Sequence, residues 1–308
     1  MKAIMYHYVR EYNSEFPYFR YLDIKNFEKQ LDYFEEKFGF VSKEEWLDAI
    51  NKKILGNTEG KIILTFDDAM SCHYDHVFQV LKKRGLWGIF YVPAQPYQSD
   101  KILDVHRIHL LCGAFEGKEL MAILKKLLDE NMIPDEKIKE FRELTYSRQV
   151  NYEGVSEFKR ILNYFVSYRF REGLIDAVAN ELGFEFIVSK FYVSLEHLKE
   201  MHLSGNLIGS HTVSHPVMSK LNEMDQKTEI NDSFIFLRDN FNLDVKTYCH
   251  PYGGFHSFNK TTVDILASNS VSFSFNVEPR DICDHDLVSS IHFLPRYDCN
   301  IFPFGQAS

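Results

Sequence analysis

Short apolar strands alternate with amphipathic helices in both the N-terminal and the C-terminal parts of the chain, and this alternation restricts the fold more than any other feature. A strand–helix–strand succession at this spacing is typical of parallel βα units. Six or seven such units favour an α/β fold built as a barrel, closed or incomplete, over an open sheet. We predict the strands at residues 2–9, 61–66, 87–92, 206–210, 245–249, 271–277 and 290–294.

The pattern changes in the middle of the chain, where apolar residues recur at helical spacing and no strand is predicted. The predicted organisation is a barrel formed by residues 1–94 and 191–308, with a helical insertion at 95–190. An insertion in a βα loop would act either as a lid over a site or as a packing or dimerisation element. Its predicted helices cover residues 119–131, 136–144 and 156–182.

Charge and cysteine content limit the partners and the compartment. The 308 residues include 35 Lys and Arg against 44 Asp and Glu, a net charge of −9, whereas nucleic acids and anionic membranes need a basic surface. Five cysteines without C-x-x-C spacing indicate free thiols in a reducing compartment. No apolar run has the length of a spanning helix or of a signal-peptide core. We therefore predict a cytoplasmic protein with no nucleic-acid partner and no membrane span; the sequence leaves the oligomeric state open.

Two adjacent carboxylates, Asp67 and Asp68, follow the strand predicted at 61–66. Repulsion and desolvation disfavour such a pair unless a cation or hydrogen-bond donors compensate. Asp68 is also in a position to cap the helix that follows. The pair therefore indicates either a functional site or an ordinary helix N-cap.

Two histidines, His211 and His215, follow the strand predicted at 206–210. Pro216 disfavours the helical conformation at His215, so the pair is expected in a loop at the end of that strand. The carboxyl ends of parallel strands lie at one face of a fold. Two imidazoles and one aspartate from two strand ends would form a three-ligand metal site that leaves room for a water molecule.

A tight turn, Pro-Tyr-Gly-Gly at 251–254, follows another predicted strand end and can direct backbone N–H groups at a ligand. With Thr-Phe-Asp-Asp at 65–68 and Ser-His-Thr-Val-Ser-His-Pro at 210–216, it resembles the motifs of the polysaccharide deacetylases, the NodB-homology domain of carbohydrate esterase family 4. The resemblance covers residues 1–93 and 195–296. It implies a deformed (β/α) barrel of the polysaccharide deacetylase type and a metal-dependent carbohydrate N-deacetylase.

The resemblance implies a role for each matching residue. Asp67 would be the general base, and the backbone N–H of Tyr252 would help to hold the oxyanion. Asp68, His211 and His215 would bind one divalent metal, most often zinc and sometimes cobalt or nickel.

Two functional residues of the family that this chain resembles, an arginine and a general acid, have no direct match in this sequence. Many members carry an arginine two residues before the proline of the third motif, where this chain has Cys249, and Arg296 is the predicted replacement. The C-terminal motif that supplies the general acid is not evident. We predict that His7, at the end of the first strand, supplies it, with His292 as the alternative.

The predicted reaction is hydrolysis of an N-acetyl or related acyl group from an amino sugar or glycan precursor, in the biosynthesis of a surface polysaccharide. Two alternatives stay open. One is a catalytically inactive glycan-binding module, which the missing third-motif arginine suggests. The other is a metal-dependent hydrolase of a non-sugar amide or formamide.

Overall fold

The computed structural model describes residues 1–147 and 154–307, with side chains for 1–141 and 154–307. The chain divides into two compact units. The sheet unit comprises Met1–Glu11, Tyr21–Lys101 and Ser189–Ser308. The helical unit comprises Tyr12–Arg20 and Ile102–Val188.

A parallel sheet of seven strands organises the sheet unit, in the order β8-β7-β6-β5-β4-β1-β9. Two further strands, β2 and β3, pair with each other in a separate sheet. The strands are β1 (Lys2–Tyr6), β2 (Val9–Arg10), β3 (Leu22–Asp23), β4 (Ile62–Asp67), β5 (Ile89–Val92), β6 (Leu207–Ser210), β7 (Thr247–Cys249), β8 (Phe273–Phe275) and β9 (Tyr297–Asp298).

Helices connect most of the strands of the sheet unit, as parallel pairing requires. They are α1 (Ile24–Lys37), α2 (Lys43–Lys52), α3 (Gln79–Arg84), α4 (Gln95–Ser99), α10 (Leu195–Leu203), α11 (Glu223–Asn240), α12 (Lys260–Ser268) and α13 (Asp284–Ser289). The helical unit contains α5 (Asp104–Ala114), α6 (Gly117–Leu127), α7 (Asp135–Ser147), α8 (Val155–Arg160) and α9 (Tyr168–Glu181).

The central strands are buried on both faces. The side chains of β5 alternate between two apolar clusters, with Phe90 and Val92 in one and Ile89 and Tyr91 in the other. All six residues of β4 are buried as well. Continuous apolar runs of this kind are expected where a parallel sheet is covered on both sides.

The segment that precedes β9 runs beside the opposite edge of the sheet. The amide of Asn276 donates to the carbonyl of Leu294 at 2.9 Å, and the amide of Leu294 donates to that of Ser274 at 2.8 Å. The chain then continues into β9, which pairs with β1. The sheet is thereby curled into a half-barrel, and the predicted deformed (β/α) barrel is confirmed.

The strand predicted at 290–294 is wrong. The amide of Phe293 donates to the carbonyl of Ser290 at 2.9 Å in a turn, which removes it from strand pairing. Only Leu294 forms a bridge, to Phe275 of β8. His292 therefore lies in a turn, not in the middle of a strand.

The single helix predicted at 156–182 is interrupted. It consists of α8, a π-helix at Ile161–Phe165 and α9, with extended backbone at Val166 (ψ 129°) between the last two. No glycine or proline occurs from Val155 to Glu172, so the apolar periodicity continues across the break and conceals it.

The helical unit has an apolar core of its own, with α5, α6, the π-helix at Ile161–Phe165 and α9 contributing most of it. Within the described ranges, no helix combines the length and apolar character needed to cross a membrane. All five cysteines are free thiols, as their spacing predicts.

Candidate active site

Four parallel strands, β1, β4, β6 and β7, have their carboxyl ends along one edge of the sheet. The residues at these strand ends form the candidate site. The pairing of Tyr6 with Phe66 brings the end of β1 level with Asp67 at the end of β4. Farther along the sheet, β6 and β7 end side by side at Ser210 and Cys249. The three motifs of the sequence therefore meet here.

Left-handed backbone is concentrated at this edge. Nine non-glycine residues in the described part of the chain have positive φ, and five of them lie in the three motifs or directly after the first. Such conformations cost energy and cluster at functional sites. The five are Asp68 (79°), Ala69 (51°), Thr212 (66°), His215 (55°) and Tyr252 (64°).

Three buried side chains converge as a ligand set. Asp68 Oδ1 lies 3.4 Å from Nε2 of His211 and 3.4 Å from Nε2 of His215. In a tetrahedral zinc site with bonds of about 2.0–2.1 Å, neighbouring ligand atoms are separated by about 3.4 Å. The donor types and their separations therefore fit a zinc-like ion. Asp68 is not a helix cap, because the helical turn that follows starts from Cys72.

The tautomer of His211 is set by a backbone carbonyl. Its Nδ1 lies 2.9 Å from the carbonyl oxygen of Cys249, which can only accept, so Nδ1 carries the hydrogen. In the neutral ring, which is the form that binds a metal, the lone pair of Nε2 then faces Asp68. Orientation of a histidine through its second nitrogen is usual at metal sites.

The other aspartate of the first motif pairs with an arginine. Arg296 donates from Nη1 to Asp67 Oδ1 and from Nη2 to Oδ2, both at 2.7 Å. Both side chains are buried, with relative exposures of 1% and 3%. Burial raises the pKa of Asp67, but the Arg296 guanidinium, together with His211 and His7, outweighs burial and holds this pKa below its ordinary value. Asp67 is therefore a carboxylate at neutral pH.

Thr65 and Cys249 complete the surroundings of Arg296. Its Nη1 donates to Thr65 Oγ1 at 3.0 Å, and its Nη2 donates to Cys249 Sγ at 3.0 Å. Burial raises the pKa of the Cys249 thiol, so this sulfur is neutral. The residue that stands where many family members have arginine thus contacts an arginine that comes from the far end of the chain.

Of the two candidate acids, the structure brings His7 to the carboxylates. Its Nε2 lies 3.9 Å from Asp67 Oδ2 and 3.9 Å from Asp68 Oδ2, and 38% of its side chain is exposed. The first strand ends at Tyr6, so His7 is in the loop and not in the strand predicted to run to residue 9. The backbone carbonyl of His292 accepts a hydrogen bond from Nε2 of the buried His250 at 2.8 Å.

His73 also belongs to the candidate site and was not predicted from the sequence. Its ring is buried and its Nε2 donates to the carbonyl of His7 at 2.7 Å. Burial lowers the pKa of His73 to about 4, so the ring is neutral at physiological pH. His73 begins a π-helix, His73–Phe78, which helical periodicity does not distinguish from an α-helix. The hydrogen bond from His73 holds the backbone of His7, from which the His7 imidazole projects.

The turn of the third motif depends on Gly253. Its φ is +60°, and a Cβ atom there would lie 2.2 Å from Val277 Cγ2, so a larger residue is excluded by both strain and space. The preceding Tyr252 packs its ring against that of His215, with centroids 4.9 Å apart. The turn and the ligand set are therefore one packed structure.

Known proteins share this architecture. The profile of the family described as polysaccharide deacetylase matches residues 179–273, which contain the second and third motifs. The Streptococcus pyogenes deacetylase PplD in complex with acetate is 18% identical over 97% of this chain and 91% of that chain, with a TM-score of 0.58. IcaB from Ammonifex degensii is 20% identical over 89% and 82%, with a TM-score of 0.51. BC0361, a polysaccharide deacetylase from Bacillus cereus, is 15% identical over 96% and 63%, with a TM-score of 0.53. No curated protein matches the chain in sequence.

The fold is that of the polysaccharide deacetylases. The resemblance predicted from the three motifs is confirmed by the family match and by these structural neighbours.

Proposed function

We propose that the chain is a metal-dependent carbohydrate N-deacetylase, which hydrolyses the N-acetyl group of an amino sugar in a glycan or glycan precursor. The proposal rests on one observation. The ligand set Asp68, His211 and His215 lies at the same edge of the sheet as the ion pair of Asp67 and Arg296. The family match over residues 179–273 supports N-deacetylation of a glycan as the reaction.

The ligand set would hold one divalent ion, with zinc favoured and cobalt or nickel compatible with the same donors. When bound, such an ion lowers the pKa of water and polarises a carbonyl group. The other residues would then act on the reacting atoms. Asp67, ionised and oriented by Arg296, would take the proton of the attacking water. The Tyr252 N–H would donate to the developing oxyanion, and His7 would protonate the leaving nitrogen.

The inactive-module alternative was suggested by Cys249 in the place of an arginine. Arg296 occupies the space beside Asp67 and makes the bidentate contact that a base needs for orientation, which removes that reason. Hydrolysis of a non-sugar amide or formamide would use the same side chains, so substrate comparison has to separate these reactions. The cytoplasmic location and the role in surface-polysaccharide biosynthesis stay predictions.

Elemental analysis of the purified protein tests the proposal directly. We expect about one divalent ion per chain, and its loss in His215→Ala, because two ligands hold a zinc-like ion poorly. His197→Ala is the matched control, since His197 is an exposed histidine on α10 and should leave the metal content unchanged. The metal-loaded protein should release acetate from N-acetylated oligosaccharides faster than it cleaves formamides or simple amides. Absence of metal after reconstitution with zinc and cobalt would refute the proposal.

His7→Ala should lower amide hydrolysis by about 10²-fold, because an amine leaves only when protonated. Hydrolysis of an aryl acetate should change little, since a phenolate leaves without a proton. His292→Ala serves as the comparison and should keep nearly full activity on both substrates. The two substrates are assayed by kcat side by side. A larger loss in His292→Ala than in His7→Ala would assign the acid to the turn before β9.

A further inference from the structure

The loop between the two histidine ligands is held in an unfavourable backbone conformation. Thr212 and His215 have φ values of 66° and 55°, and neither is glycine. Residues adopt such conformations only where the surroundings determine them. Some contact must therefore hold this loop, and with it the direction of the His215 imidazole.

Glu229 on α11 makes that contact. Its Oε2 accepts the backbone N–H groups of Val213 at 2.8 Å and Ser214 at 2.9 Å. Its Oε1 accepts the Ser214 hydroxyl at 2.5 Å. One carboxylate thus binds three donors in the middle of the loop, and hydrogen bonds to a charged acceptor are about twice as strong as neutral ones.

The helix that carries Glu229 is fixed to the strand that carries the loop. Four residues farther on, Ser233 Oγ lies 2.6 Å from Ser210 Oγ, at the end of β6. Residues four apart share one face of a helix, so both contacts point to the same strand end. Glu229 therefore reaches the loop from a helix that is hydrogen-bonded to the end of β6.

We propose that Glu229 is a positioning residue for the metal site: its carboxylate holds residues 213 and 214 so that His211 and His215 both face Asp68. The inference rests on the proposed function in one respect, that this ligand set binds a divalent cation. These hydrogen bonds of Glu229 go to residues 213 and 214, between the two histidines, so its effect on the ligand set passes through the loop. Loss of its contacts should weaken cation binding without removing any ligand.

The test is the dissociation constant for Zn²⁺ of the metal-free, full-length chain, measured by competition with a chelator, together with the absorption spectrum of the Co²⁺ form. Glu229→Ala should bind Zn²⁺ about 10–100-fold more weakly, as is usual when a group that orients a ligand is removed. Glu229→Asp should also bind more weakly, because the shorter side chain does not reach both amides. Glu229→Gln should lose less affinity than Glu229→Ala, since its amide oxygen still accepts, although more weakly than a carboxylate, and its amide nitrogen can donate to Ser214 Oγ.

Asp232→Ala is the matched control, because it removes an exposed carboxylate from the same helix. It should leave Zn²⁺ affinity and the Co²⁺ spectrum unchanged. Wild-type affinity in Glu229→Asp would overturn the inference, as would a loss in Glu229→Gln equal to that in Glu229→Ala. If Glu229→Ala does not fold, the Asp and Gln variants decide. If the wild type binds Zn²⁺ and deacetylates, either of these overturning results refutes the role of Glu229 alone; if it binds no metal, the proposed function fails as well.

Discussion

Asp67→Asn is expected to lower kcat on an N-acetylated oligosaccharide by about 10³–10⁴-fold, at the upper end of what a general base contributes. The amide cannot take a proton from water, whereas the ligand set, including Asp68, stays intact. Metal content should therefore stay near that of the wild type. Acetate release measures turnover, and elemental analysis measures the metal.

A second buried carboxylate offers the control for this change. Asp286 on α13 accepts two hydrogen bonds from Arg280, at 2.7 and 2.9 Å, and its side chain is 4% exposed. Asp286→Asn perturbs the same kind of pair away from the motif residues, so it should cost stability and leave kcat unchanged. Wild-type turnover in Asp67→Asn, or an equal loss of turnover in both variants, would contradict the assignment of Asp67 as base.

Arg296→Ala is expected to lower the free energy of unfolding by about 3–5 kcal/mol, because it leaves the Asp67 charge buried without its counterion. Burial then acts on Asp67 with less opposition, so its pKa should rise and the acid limb of the pH–rate profile should move to higher pH. Urea unfolding and the pH dependence of kcat measure the two effects.

Arg280→Ala is the natural comparison, since Arg280 makes a similar bidentate pair but is 40% exposed, against 1% for Arg296. Water can compensate at the exposed pair, so the loss there should be smaller. In an Asp67→Asn background, Arg296→Ala should cost less than in the wild type, because no buried anion remains. Equal costs in both backgrounds would show that the pair is not energetically coupled.

The barrel was predictable because its strands are continuous apolar runs between helices with clear stripes, a pattern with few other solutions. The boundaries of the strands and helices were less predictable. The apolar residues at 291 and 293 are typical of a strand. In the structure, however, the amide of Phe293 donates to the carbonyl of Ser290 in a turn and is not available for strand pairing. The break between α8 and α9 has no glycine or proline to mark it.

The motif residues of the site were found from the sequence because each follows a strand, and parallel topology places strand ends together. Arg296 was predicted, as the replacement for the family's arginine, from its position just after the last predicted strand. Glu229 and His73 were missed because they lie on helices and act through backbone groups, which no side-chain motif records. For Glu229, the one available signal was the presence of two polar residues, Gln226 and Ser233, on the otherwise apolar face of α11.

The contact between Asp67 and Arg296 spans 229 residues of sequence, and this separation has a consequence for synthesis. The ribosome makes β4 and all three proposed metal ligands well before it reaches β9. Until then, the carboxylate of Asp67 has no arginine beside it, and folding of the sheet would favour its protonated form. A chain interrupted before Arg296 would retain the complete ligand set and still lack a competent base. Under the proposed function, catalytic activity would therefore depend on translation of the last strand, whereas the ligand set would be complete before it.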